Sequence, residues 1–188
     1  MPEHLAALIA ALSDPDVPVR KNAATTIFNN GARLVAPLLQ QWQANPALAA
    51  SISSTGAPRI TVGVAVDPAR FDAIRAANGT PPLADVPPDQ DAREFELDFP
   101  GEVRLDILTS REPAGPGAIA RYLKKFGEGI QQVEVNVDDV DRATQLLRTQ
   151  FAVEPIYPAT RPGANRTRVN FFLMTIPGGK LLVELVEA

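Results

Sequence analysis

The sequence predicts an α+β protein: paired βαβββ units forming a curved mixed sheet around a cavity, preceded by a small helical hairpin segment. Three observations carry this. Apolar residues recur at helical spacing through residues 3–44, the period changes to two from Arg59 onward, and the alternating part contains one strand–helix–strands pattern twice.

The bulk numbers suit such a fold. The 188 residues are 45% hydrophobic and 21% charged, enough apolar material for a real core. A net charge of −4, with no run of Lys and Arg, argues against nucleic-acid and anionic-membrane partners, because phosphate recognition needs a basic surface. The chain has no Cys, which excludes disulfides, thiolate nucleophiles and cysteine zinc sites. The apolar stretch in MPEHLAALIAALS is short and lacks a basic flank, so it does not read as a signal peptide; no run is long enough to cross a membrane, and a cytoplasmic location is expected. The single histidine, His4, lies far in sequence from every polar cluster and reads as a surface residue. Any chemistry must therefore run on carboxylates, amides, hydroxyls and arginines.

The first element, residues 1–50, is helical. Leu5, Leu8, Ile9 and Leu12 mark one helix, and Ser13-Asp14-Pro15-Asp16 supplies the stop and the next N-cap. Ala23, Ala24, Ile27 and Phe28 mark a second helix, which Asn30-Gly31 is expected to end. A third, from Arg33 to Trp42, puts Leu34, Val35, Leu38, Leu39 and Trp42 on one stripe. The pattern LIAALSDPDVPVRKNAATTIFNNG resembles a HEAT repeat, although a plain helical hairpin fits as well. One repeat cannot bury its own apolar face, so the segment is expected to dock on the following domain or on a dimer partner. Residues 45–58 are small, polar and broken by Pro and Gly; they read as a linker, with 51–58 as the junction and 59–188 as the second domain.

The duplication comes next. TVGVAVD at 61–67 matches QVEVNVD at 132–138, and a helix-like stretch follows each. VRLDIL at 103–108 matches LLVELV at 181–186, and EFELDF at 94–99 pairs with VNFFLM at 169–174. Alternation puts Val62, Val64 and Val66 on one face and Thr61, Gly63 and Ala65 on the other; Val133, Val135 and Val137 likewise oppose Gln132, Glu134 and Asn136. The valine faces should pack under the helices. The polar faces should line a concave surface, on which Thr61, Asp106, Gln132 and Glu184 are expected to converge.

These strands, with AIARYLKKFGEGIQQV at 118–133, VNVDDV at 135–140, RPGANRTRVNFF at 161–172 and GGKLLVELVE at 178–187, resemble the vicinal-oxygen-chelate superfamily, most of all its methylmalonyl-CoA epimerase branch. The resemblance spans roughly residues 58–188, with 79–92 reading as a Pro-rich surface loop. It implies a divalent cation held by two histidines, a Glu or Gln and a Glu, at the positions that are here Thr61, Asp106, Gln132 and Glu184. Only Glu184 keeps the family's residue, and Asp106 is a shortened relative. It also implies a homodimer and a small-molecule ligand.

Two chemical readings stay open. An all-oxygen set suits a hard divalent cation such as magnesium, calcium or manganese, held weakly. Without metal, Arg104 is placed to neutralise Asp106 and Glu184, or the two carboxyls share a proton and serve as general acid and base. Arg161, Arg166 and Arg168 are candidates to grip coenzyme A phosphates or a substrate carboxylate, a solvated loop being the other reading. Gly127-Glu128-Gly129 is not a dinucleotide fingerprint, since no strand-to-helix turn surrounds it. The function expected is an epimerase or lyase acting on an acyl-CoA or 2-oxo compound through Asp106 and Glu184. A non-catalytic module that sequesters a small molecule, and an interaction protein that uses its helices, are the alternatives.

Overall fold

The expected third N-terminal helix is absent because the second does not stop. The computed structural model describes residues 2–52, 58–177 and 179–188. In it α1 (Pro2–Ala11) is followed by a single α2 (Val17–Gln43) that runs through Asn30-Gly31 and past Pro37. Gly31 is there for another reason: a Cβ on it would lie 2.5 Å from Val62 Cγ2, so glycine lets this helix lie directly on a strand. The stretch read as linker begins with a short helix, α3 (Pro46–Ile52). Asn45 caps it, its Oδ1 accepting from the N–H groups of Ala47 and Leu48 at 3.1 Å, and Pro46 occupies the first helical position. Residues 53–57, also assigned to the linker, lie outside the described residues.

Among the described residues, seven strands and three more α-helices follow: β1 (Ile60–Ala65), α4 (Pro68–Ala77), β2 (Arg93–Phe99), β3 (Val103–Thr109), α5 (Ala118–Phe126), β4 (Gly129–Asn136), α6 (Val140–Phe151), β5 (Arg161–Pro162), β6 (Arg168–Ile176) and β7 (Gly179–Glu187). They belong to two compact units, Met1–Gly31 with Thr61–Gln131, and Ala32–Ile60 with Gln132–Ala188.

In the first unit the strand order is β2-β3-β1. β1 runs parallel to β3, and β2 is antiparallel to it. In the second the order is β4-β7-β6-β5, with β4 parallel to β7 and β6 antiparallel to it. The duplication seen in the sequence is thus a repeated strand arrangement. The repeat differs in one respect: two strands, not three, follow α4, because 79–92 forms a loop with no regular element.

Each unit has its own core, and the alternation sets its face. Val62, Val64, Phe71, Ile74, Phe95, Leu105 and Ile107 pack with Ile9, Leu12, Ala24 and Ile27 of the N-terminal helices. In the second unit Val133, Val135, Leu147, Phe172, Val183 and Leu185 pack with Val35, Leu38, Trp42, Leu48 and Ile52. The helical segment therefore supplies core residues to the strands, which is how its apolar stripe escapes water. No helix of the described residues is long and apolar enough to cross a membrane. His4 is exposed on α1.

Candidate active site

With the valines turned to the helices, the opposite face of each strand set is polar. In the first unit Asp106 lies opposite Gly63 on β1 and opposite Glu96 on β2, so the three positions form one row across the strands. Thr61 shares this face two residues before Gly63, and Glu94 two residues before Glu96. Thr61 and Asp106 are only 6% and 4% exposed, and Glu94 is half-buried.

Burial decides how Glu94 behaves. Loss of water around its carboxylate, with repulsion from Glu96 added, pushes its pKa up to about 7; Arg111 opposes the shift only in part. A carboxyl that titrates near neutrality can both take up and release a proton under physiological conditions. The sequence reading missed it, although EFELDF alternates like the other strands and places Glu94 and Glu96 on the face of Asp106. Arg104, expected to neutralise the Asp106 and Glu184 carboxylates, instead has its ion pair with Asp98, the residue opposite it on β2, at 3.4 Å.

In the second unit Glu184 occupies the position matching Asp106, opposite Glu134 on β4 and Phe171 on β6. The Gln132 amide donates to Glu184 Oε2 at 2.6 Å and to Glu134 Oε1 at 3.3 Å, so one amide ties two carboxylates together. Beside them Tyr157 meets Phe171 edge-on at 6.0 Å between centroids, and the Arg161 guanidinium lies 4.5 Å over the Tyr157 ring.

The structure treats the three candidate arginines differently. Arg161 is half-buried against Tyr157, while Arg166 is exposed at a left-handed φ of 66° in the 3-10 turn Ala164–Arg166. Arg168 is engaged on the surface: it donates to Glu187 at 3.0 Å and to Asp141, and it holds the Asp141 carboxyl below the usual carboxylate range. An open cleft of about 540 Å³ lies along α6, lined by Asp141, Thr144, Gln145, Arg148 and Glu154; α6 covers the apolar side of its strands, so this cleft is not on the polar face.

A resident divalent cation does not fit these donors. Of the four positions expected to match the family's metal ligands, the first unit offers one hydroxyl and one carboxylate, Thr61 and Asp106. In the second unit Glu184 already accepts a short hydrogen bond from the Gln132 amide. Among the described residues no group of three His, Asp or Glu side chains is arranged to hold a metal.

Comparison with solved structures gives clear likenesses. The chain is similar to methylmalonyl-CoA epimerase from Mycobacterium tuberculosis, at 30% identity and a TM-score of 0.55, over 68% of this chain and 85% of that one. A methylmalonyl-CoA epimerase in complex with methylmalonyl-CoA and NH4+ matches at 25% identity, TM-score 0.57, over 70% and 94% of the two chains. A Streptomyces coelicolor methylmalonyl-CoA epimerase variant, bound to 2-nitronate-propionyl-CoA, shares the fold at 23% identity, TM-score 0.55, over 68% and 94%. No protein-family model and no curated protein matches the chain.

Proposed function

Because this chain belongs to the methylmalonyl-CoA epimerase branch of the vicinal-oxygen-chelate superfamily, we propose that it moves a proton on the carbon next to the thioester carbonyl of an acyl-CoA. The observation that carries the reading is Glu94, a half-buried carboxyl titrating at about 7 on the same face as Asp106 and Thr61. Two of the structures it resembles hold acyl-CoA compounds, which supports the choice of ligand class.

The step balances without a further reagent. Ionised Glu94 takes the α-proton, so a C–H bond breaks and an O–H bond forms on the carboxyl, while the electron pair moves onto the thioester oxygen as an enolate. Return of a proton from Glu94, after that proton has exchanged with solvent, gives exchange at the α-carbon and restores the ionised carboxylate. In the second unit Gln132 orients the Glu184 carboxylate, and Arg161 is braced on the Tyr157 ring.

One observation favours a second reading. The hydrogen bond from Gln132 to Glu184 gives this carboxylate a partner without any ligand, as in a pocket that only sequesters a small molecule. Incubation with a chiral 2-methylacyl-CoA in D2O, followed by NMR, separates the two. The proposal expects deuterium at the α-carbon, no requirement for added metal, and loss of incorporation in Glu94→Gln. Saturable binding without any incorporation would establish the sequestering role instead.

A further inference from the structure

The reading above gives the acyl end of the ligand its partners but leaves the nucleotide end without any, since Arg168 is already engaged with Asp141 and Glu187. From a feature of α5 we infer that the 3′-phospho-ADP end of an acyl-CoA docks on its last turn, with Lys124 and Lys125 on the phosphates and Phe126 under the adenine; this rests on the acyl-CoA reading of the polar face.

Several observations meet at this turn. α5 is strongly two-sided: Ile119 and Ala120 are buried, and Tyr122 is anchored by donating its hydroxyl to Ile130 O at 2.8 Å. The opposite side carries Arg121, Lys124 and Lys125, all exposed, so two of the chain's four lysines stand side by side in a protein of net charge −4. Among the described residues no carboxylate pairs with either lysine. The nearest acid in sequence, Glu128, is turned away: its Oε1 accepts from the Asp67 N–H at 3.1 Å and its Oε2 lies 3.6 Å from Arg70 Nε.

Phe126 makes the patch more than a basic helix end. Lysines at a C-terminus are favoured by the helix dipole alone. An aromatic ring left 64% exposed beside them is not explained that way. Its ring is held in place, 5.3 Å from Tyr122 and 4.9 Å under the Lys125 ammonium. The helix then ends at Gly127, whose φ is 73° and where an added Cβ would meet nothing within 4 Å. Cations next to a fixed, exposed ring match a purine with attached phosphates: the base stacks, and the phosphates pair. Lipid headgroups would meet the charges but leave the flat ring without a flat partner.

The test measures binding of 3′,5′-adenosine bisphosphate and of coenzyme A to the full chain by calorimetry, in wild type, Lys124→Glu/Lys125→Glu and Phe126→Ala. These side chains are exposed, and far-UV circular dichroism checks that the variants stay folded. The inference expects micromolar, salt-sensitive binding of both probes, weakened about tenfold or more by the charge reversals and several-fold by Phe126→Ala. Unchanged affinity in the charge-reversed protein, or no binding of either probe to wild type, overturns it. α-Deuterium incorporation into an acyl-pantetheine, which lacks the nucleotide, runs in parallel. Its persistence alongside failed nucleotide binding sinks only the α5 site, whereas its absence with every substrate sinks the proton-transfer reading.

Discussion

Glu94 holds its proton to a higher pH than an exposed glutamate because water is withdrawn from its carboxylate and Glu96 repels the charge along the same face. The unfolded chain releases that proton near 4.5, the folded protein near 7, so between these values the folded state binds more protons. Stability must then fall as pH rises through that window and level off above it. Glu94→Gln removes the loss: its stability matches wild type near pH 4 and exceeds it at pH 8 by about 2 kcal/mol, after the shift is discounted for partial exposure. Urea unfolding at the two pH values measures the difference. The alternation of TVGVAVD and QVEVNVD made the facing of Thr61 and Gln132 legible in the sequence, and the closing strands did the same for Asp106 and Glu184. Glu94 was missed because its character comes from what surrounds it in space, which no local pattern records. Arg104 pairs across the ladder with Asp98, a partner that the sequence, which pointed along its own strand to Asp106, did not suggest.

At the scale of elements, the strands were easier to read than the helix boundaries. A period of two survives in the sequence because one face is buried and the other is not. The end of α2 was misplaced because glycine has two uses, stopping a helix and admitting a close neighbour, and only the second applies at Gly31. Gly31→Ala should destabilise the protein by roughly 1–3 kcal/mol through overpacking against Val62, and Val62→Ala in the same chain should recover part of that loss. Thermal unfolding of the two variants checks the pair. α3 was hidden in a stretch of small residues, although Asn45-Pro46 is a sound N-cap signal. Because Ile9, Leu12, Ile27, Val35, Leu38 and Trp42 are core residues, deletion of residues 1–50 should leave an unfolded chain rather than a trimmed domain. Sharp, dispersed NMR peaks from residues 51–188 alone would refute this.

At the scale of the molecule, one strand arrangement occurs twice and its chemistry has diverged. The positions of Asp106 and Glu184 match by register, but Glu96 beside the first is Phe171 beside the second, and Gly63 is Glu134. One unit presents an acidic row with a titrating carboxyl, and the other an amide-bridged carboxylate beside an aromatic pair. The fold was legible from resemblance, while the chemistry had to come from the side chains. A ligand that binds only the folded state, present at a hundred times its dissociation constant, adds about 2.7 kcal/mol, or about 5–10 °C in Tm for a chain of this size. Acyl-CoA esters should produce that shift, with EDTA making no difference. The central claim, that Glu94 moves the α-proton, is tested most directly by the pH dependence of deuterium incorporation into an acyl-CoA with chelator present. The account predicts a rate rising through a midpoint near pH 7 in wild type and none in Glu94→Gln; incorporation of equal rate in the variant would contradict it.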